Sequence, residues 1–226
     1  YVDAVQYVPH GVTDVQDLDC DFLVCSAYKF FGPHQGILWG RGELLEKLPA
    51  YKVRPADDKP PGKFETGTQS HEGQAGTLGA LEYLEWVGEI MGQEYVPNLY
   101  TGSKNTKNLH AAMLAIRDYE KSLSRELISD LQAIKGVKIH GITDLNALAE
   151  RVPTVSFEVE NQHPAEIARK LGEENIFVWD GDYYAVEVIK HLGLETKGGM
   201  IRVGAVHYNT ISEIHQLLNK LELVLG

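Results

Sequence analysis

Residues 21–26, DFLVCS, are apolar at odd and even positions alike. A strand with one wet face alternates polar and apolar side chains, so a strand apolar on both faces has to be covered on both sides. Its surroundings keep a matching punctuation, in which YVDAVQ, DVQDL, DFLVCS, GILWGR and GELLEKL follow one another before Pro49. Short strands and short helices in turn predict an α/β layer around that covered strand.

Residues 51–76 carry Pro55, Pro60, Pro61, Gly62, Gly67 and Gly73 without a strand or helix period, a long irregular segment of the kind that lines sites. Leu78, Leu81, Leu84, Val87 and Ile90 then form a helical stripe. A second helix starts near Asn105, with Leu109, Met113, Ile116, Leu123, Leu127, Leu131 and Ile134 at three- and four-residue steps. From Val137 the period changes again: VKIHGI, TVSFEVE, IFVW and MIRVGAVHY read as strands, HPAEIARKLGEEN and TISEIHQLLNKLELVL as helices. That block predicts a small α+β domain with an antiparallel sheet. The expected boundary lies inside the long helix, giving domains 1–122 and 123–226.

Composition removes several function classes. A net charge of −11 repels nucleic acid and anionic membranes, and no apolar run approaches the ~18 residues of a spanning helix. The opening YVDAVQYVPH lacks the basic and apolar regions of a signal peptide, so a soluble cytoplasmic protein is expected. Cys20 and Cys25 are the only cysteines. Five residues of strand at ~3.3 Å each keep them too far apart to bridge, which suits a reducing compartment. The sequence starts at Tyr1 and runs at once into a strand-like segment, so an N-terminal half of the same protein is expected beyond it.

The chemistry centres on CSAYKFFGPHQG, residues 25–36, where Lys29 stands between a strand end and the Gly32-Pro33 turn. A lysine whose surroundings lower its pKa is an amine nucleophile toward a carbonyl. Asp3 and Gln6 close the first strand, Ser26 and Tyr28 flank the lysine, and FETGTQSHEGQAG supplies Gly67 and Thr68. In kind, these are the groups pyridoxal 5'-phosphate requires: an amine for the aldehyde, a carboxylate for the pyridinium, a donor for the phenolic oxygen, and hydroxyls for the phosphate. His10, His34, His71 and His207 lie near the expected site loops and are read as hydrogen-bonded structural residues, with action on the substrate open for His71. Trp179, Tyr183 and Tyr184 serve equally as pocket wall or as packing.

The block VDAVQYVPHGVTDVQDLDCDFLVCSAYKFFGPHQGILWGR, with FETGT and IRVGAVHYNTISEIHQLL after it, resembles the class V aminotransferase superfamily and its cysteine desulfurase branch. The resemblance implies a pyridoxal-phosphate transferase of fold type I, represented by part of the large domain and by the α+β C-terminal small domain. It implies that Lys29 forms the aldimine and moves protons at the substrate's α-carbon, that Asp3 pairs with the pyridine nitrogen, and that Gln6 pairs with the phenolic oxygen. Ser26 holds the phosphate, Tyr28 stands where relatives commonly have histidine, and Thr68 reaches the phosphate of a neighbouring subunit in a homodimer. Arg202 clamps the α-carboxylate of an amino acid substrate, and no metal is implied. Persulfide-forming relatives carry an arginine-glycine-histidine-cysteine stretch where this chain reads VWDGDYYAVEV, with Trp179 near the arginine's place and Tyr184 near the cysteine's. The outcome at the α-carbon is therefore open among desulfuration, β-elimination, transamination and epimerisation. A non-catalytic dimeric module that keeps the fold is the alternative from another class.

Overall fold

The computed structural model describes residues 1–98 and 102–226. The first three strands, β1 (Val2–Asp3), β2 (Phe22–Ser26) and β3 (Gly36–Gly40), form one sheet in the order β1-β2-β3. β1 runs parallel to β2 and β3 antiparallel to it. DFLVCS is thus the central strand, with Leu23 buried beside Ala4 and Cys20. Phe22, Val24 and Cys25 are only half-buried among the described residues, so the expected cover is partial on both faces. DVQDL forms turns instead of a helix, because the Asp14 carboxylate accepts from the amides of Gln16 and Asp17 and competes with helical bonding.

Three helices follow: α1 (Gly42–Lys47), α2 (His71–Met91) and α3 (Lys104–Ala133). Ser70 caps α2 by accepting from the Gly73 amide at 3.3 Å, so the irregular segment ends at residue 70 and not at 76. The buried face of α2 is Gly73, Ala80, Leu84, Val87 and Gly88, whereas Leu78 and Ile90 are each 57% exposed. The stripe read from large apolar residues is therefore rotated. Small residues set the true face, because they admit α3: a methyl at Gly88 would overlap the Asn108 carbonyl, and one at Gly92 would stand 2.8 Å from the Ala111 β-carbon. On α3, Met113, Ile116, Leu123, Leu127 and Leu131 are buried as read.

The chain divides into two units, Tyr1–Ala115 and Ile116–Gly226, and the division falls within α3. The expected boundary at residue 122 lies about two turns further along the same helix. In the second unit the strands are β4 (Val137–His140), β5 (Thr154–Val159), β6 (Trp179–Gly181) and β7 (Met200–Gly204), all antiparallel in the order β4-β5-β7-β6. Helices α4 (Pro164–Glu173), α5 (Val186–His191) and α6 (Ile211–Leu225) complete it. Of IFVW only Trp179 enters the sheet.

Val155, Phe157 and Val159 of β5 and Ile201 and Val203 of β7 turn into one core with Leu123, Leu127 and Leu131 of α3, Ile167 of α4 and Leu217 of α6. The alternate residues of those strands, Ser156, Glu158 and Arg202 among them, lie on the other face. There the Glu158 side chain, 13% exposed, meets Lys197 at 2.9 Å, Lys138 at 3.3 Å and His140 at 3.2 Å. Burial pushes its carboxyl up, but the hydrogen bonds and charges of these partners outweigh burial and hold it below the usual range. Among the described residues no helix is long and apolar enough to cross a membrane.

Two outcomes are expected. Gly88→Ala forces α2 and α3 apart and costs about 1–3 kcal/mol in urea unfolding, whereas Leu78→Ala on the exposed face stays within about 0.5 kcal/mol. A carboxylate with a depressed folded pKa contributes stability that is complete above its unfolded pKa of about 4.3 and is lost as pH falls through the folded value. Glu158→Gln should therefore flatten the acid limb of the urea midpoint measured from pH 7 to pH 3, and an unchanged limb would assign that acid sensitivity to other carboxylates.

Candidate functional site

Because β1 and β2 are parallel, both finish at the same edge of their sheet. Asp3 ends β1 with Gln6 shortly after it, Ser26 ends β2, and the short turn Ala27–Phe30 carries Tyr28 and Lys29. Five of the expected residues thus follow the C-terminal ends of a parallel pair, where α/β sheets bind ligands. The Asp3 carboxylate accepts from the Val5 amide at 3.1 Å. Lys29 is half-buried, and its Nζ lies 5.1 Å from the centroid of the Tyr28 ring. Among the described residues no carboxylate pairs with it. The Tyr28 ring in turn stacks on His34 with centroids 5.2 Å apart.

The lysine turn is clamped by backbone. Phe31 adopts a left-handed φ of 74°, the Gly32 amide donates to the Ala27 carbonyl at 2.8 Å, and the Ala27 amide to Gln35 at 2.8 Å. A β-carbon at Gly32 would come 3.1 Å from that Ala27 oxygen. On the far side Gly73 and Gly76 of α2 lie so close that added methyls would stand 2.5 Å from the Gln35 amide oxygen and 3.1 Å from the Pro33 ring. Thr68 is exposed on the segment before α2, next to Gly67 with its φ of 84°. Lys63, which sequence reasoning passed over, tethers that segment. It is 6% exposed, and its Nζ donates to the carbonyls of Glu46 and Leu48 at 2.9 and 3.0 Å, at the C-terminus of α1.

Arg202 belongs to the second unit. It sits on β7, directly across from Ser156 of β5 on one side and Trp179 of β6 on the other. Its guanidinium carbon lies 5.5 Å from the centroid of the Trp179 ring and 5.1 Å from that of Tyr183. Tyr183 and Tyr184 have φ of 38° and 65°, two successive non-glycine residues in the left-handed region. The Asp182 carboxylate holds this turn by accepting from the Tyr184 amide at 3.0 Å. Tyr183 turns inward to pack with Ile189, Leu194 and Met200, while Tyr184 is 93% exposed. Burial pushes the Tyr183 phenol above the ordinary tyrosine range, against the opposing pull of the Ser156 hydroxyl and the Arg202 charge. The ring contacts on Arg202 carry no periodic signal; only the three aromatics in six residues, Trp179 to Tyr184, hint at them.

Both cysteines are free, and burial pushes the Cys25 thiol up and away from its reactive thiolate. Residues 116–226 contain no cysteine.

The family model described as Aminotransferase class-V matches residues 1–95 and 91–217. A probable cysteine desulfurase of Pseudomonas putida is 31% identical over 98% of this chain and 50% of its own length. An aminotransferase-like protein of Gibberella zeae is 30% identical over 99% of this chain and 51% of its own length. Among solved structures, the apo cysteine desulfurase of Thermococcus onnurineus superposes with a TM-score of 0.78 at 26% identity, covering 100% of this chain and 52% of that one. The chain thus spans about half the length of the relatives it matches. With the family match running through both units, the chain belongs to the class-V aminotransferase family.

Proposed function

We propose that this chain supplies the cofactor lysine and the substrate-carboxylate arginine of a pyridoxal-phosphate enzyme that acts on an amino acid in the manner of a cysteine desulfurase, without a persulfide-forming thiol in residues 116–226. The observation that carries the reading is that Asp3, Gln6, Ser26 and a Lys29 that pairs with no carboxylate among the described residues all follow one end of a parallel strand pair. This donor set fits the cofactor in kind: one carboxylate, one amide, one hydroxyl and one half-buried amine. Pyridoxal phosphate, when bound, supplies an aldehyde for the amine and a ring that accepts the electron pair released at the α-carbon.

The chain's own residues do the rest. Lys29 would provide the amine that holds the aldehyde and would take and return the proton at the substrate's α-carbon. Asp3 keeps the ring nitrogen protonated, and Gln6 donates to the phenolic oxygen. Ser26 and Thr68 offer hydroxyls to the phosphate, with Tyr28 at its flank, and Arg202 takes the α-carboxylate through paired N–H donors. Tyr184 is exposed in the region where persulfide-forming enzymes place cysteine, and a phenol has neither the acidity nor the nucleophilicity to accept sulfur. A β-substituent would leave in one of two ways: with its electron pair to solvent, as hydrosulfide in a β-elimination that yields a dehydroamino acid, or as sulfane sulfur to the thiolate of a separate acceptor, with alanine as the product. A homodimer in the cytoplasm, with Thr68 serving the neighbouring subunit, belongs to the same proposal.

Borohydride reduction of the cofactor-loaded full-length protein, followed by peptide mapping, should place the label on Lys29; a label on another lysine overturns the assignment. Incubation with L-cysteine should leave no peptide of residues 116–226 carrying an added sulfur atom in mass spectrometry. An adduct there would defeat the thiol-free reading and leave the Lys29 assignment standing.

A further inference from the structure

Arg202 projects from the outer face of its sheet, and among the described residues no carboxylate pairs with it. A long, flexible cation in that position loses rotamer freedom when it grips a ligand, and the loss weakens binding. Here two rings already restrict it: the guanidinium carbon lies over both the Trp179 ring, at 5.5 Å, and the Tyr183 ring, at 5.1 Å. Each electron-rich face attracts the cation without occupying it as a carboxylate would, so the charge stays available to an incoming anion.

The rings reach Arg202 by independent routes. Trp179 is set by strand register, directly opposite Arg202 in the β6–β7 pair. Tyr183 is set by the left-handed turn at residues 183 and 184, which β-carbons resist and which glycine or asparagine would adopt more readily. That turn points one tyrosine inward onto the guanidinium and the next into solvent. Backbone strain retained at a side chain that touches a candidate ligand-binding group is the pattern expected of a functional constraint.

We propose that Trp179 and Tyr183 are positioning residues that hold the Arg202 guanidinium in place and thereby set the affinity of the site for a substrate carboxylate. The proposal rests on the reading of Arg202 as carboxylate anchor. It makes the aromatic pair a determinant of amino-acid binding that acts through arginine and not by touching the substrate.

The test is calorimetric titration of the cofactor-loaded full-length protein with L-alanine, an amino acid without a β leaving group, so that binding is read apart from turnover. Trp179→Leu and Tyr183→Leu should each weaken L-alanine by about 5- to 30-fold, the range of a partly desolvated cation–π contact. Trp179→Phe and Tyr183→Phe, which keep a ring, should recover most of that loss. In an Arg202→Gln background the leucine substitutions should add less than about 2-fold, since their effect passes through the guanidinium. If Arg202→Gln binds L-alanine as tightly as the unchanged protein, the anchor reading itself fails. If Arg202→Gln weakens binding and the leucine variants do not, the positioning role alone fails. Equal losses in both backgrounds mean that the rings touch the ligand directly, and they overturn the proposal too. Trp179 is half-exposed, so its variants carry the test even if Tyr183→Leu melts out in circular dichroism.

Discussion

The candidate site of the first unit depends on the direction in which β1 pairs with β2. Parallel pairing sends both chain ends to one sheet edge, so a carboxylate from one strand and an amine from the turn after the other arrive together. Antiparallel pairing of the same residues would place Asp3 at the opposite end of β2, roughly 16 Å away for five residues at ~3.3 Å. The turn that carries Lys29 then has to reverse the chain into β3 without leaving that edge. The left-handed Phe31, the crowded Gly32 and the glycine-lined start of α2 accomplish the reversal.

In the second unit the hydrophobic core does the aiming. Ile201 and Val203 are buried against α3 and α6, and strand alternation puts Arg202 on the opposite face. A register slip of one residue would bury the guanidinium and expose both aliphatic side chains, a cost large enough to make the outward position of Arg202 a by-product of stability. Around it the outer face is organised by charge and ring contacts: Glu158 gathers two lysines and a histidine, and Arg202 gathers two aromatic rings.

Much of this is readable from residue order, for identifiable reasons. Strand alternation in TVSFEVE and the helical spacing of TISEIHQLLNKLELVL are local signals, and the structure follows them at β5 and α6. The placement of Lys29 in a turn after β2 is legible because an apolar strand and the Gly32-Pro33 turn bracket it. The buried face of α2 is not legible from large apolar residues, because the close approach to α3 is made by glycines. Lys63 escapes for the opposite reason: a charged residue in an irregular segment looks solvated, and only the tertiary fold brings two backbone carbonyls to its ammonium. The ring contacts on Arg202 need strand register and a strained turn together, and neither follows from composition.

The long helix α3 bears on how such a chain can diverge. Domains usually meet at exposed linkers, where insertions, deletions and module exchange are tolerated. Here the junction between Ala115 and Ile116 lies inside thirty residues of unbroken helix. One residue inserted between Leu123 and Leu127 would turn them apart by about 100° and take one of them off the buried face of the second unit. The arginine-bearing unit is therefore not a module that recombination can exchange at a loop. Its border is a helix that also builds its core, so change within this unit comes by substitution in place and not by exchange at that border.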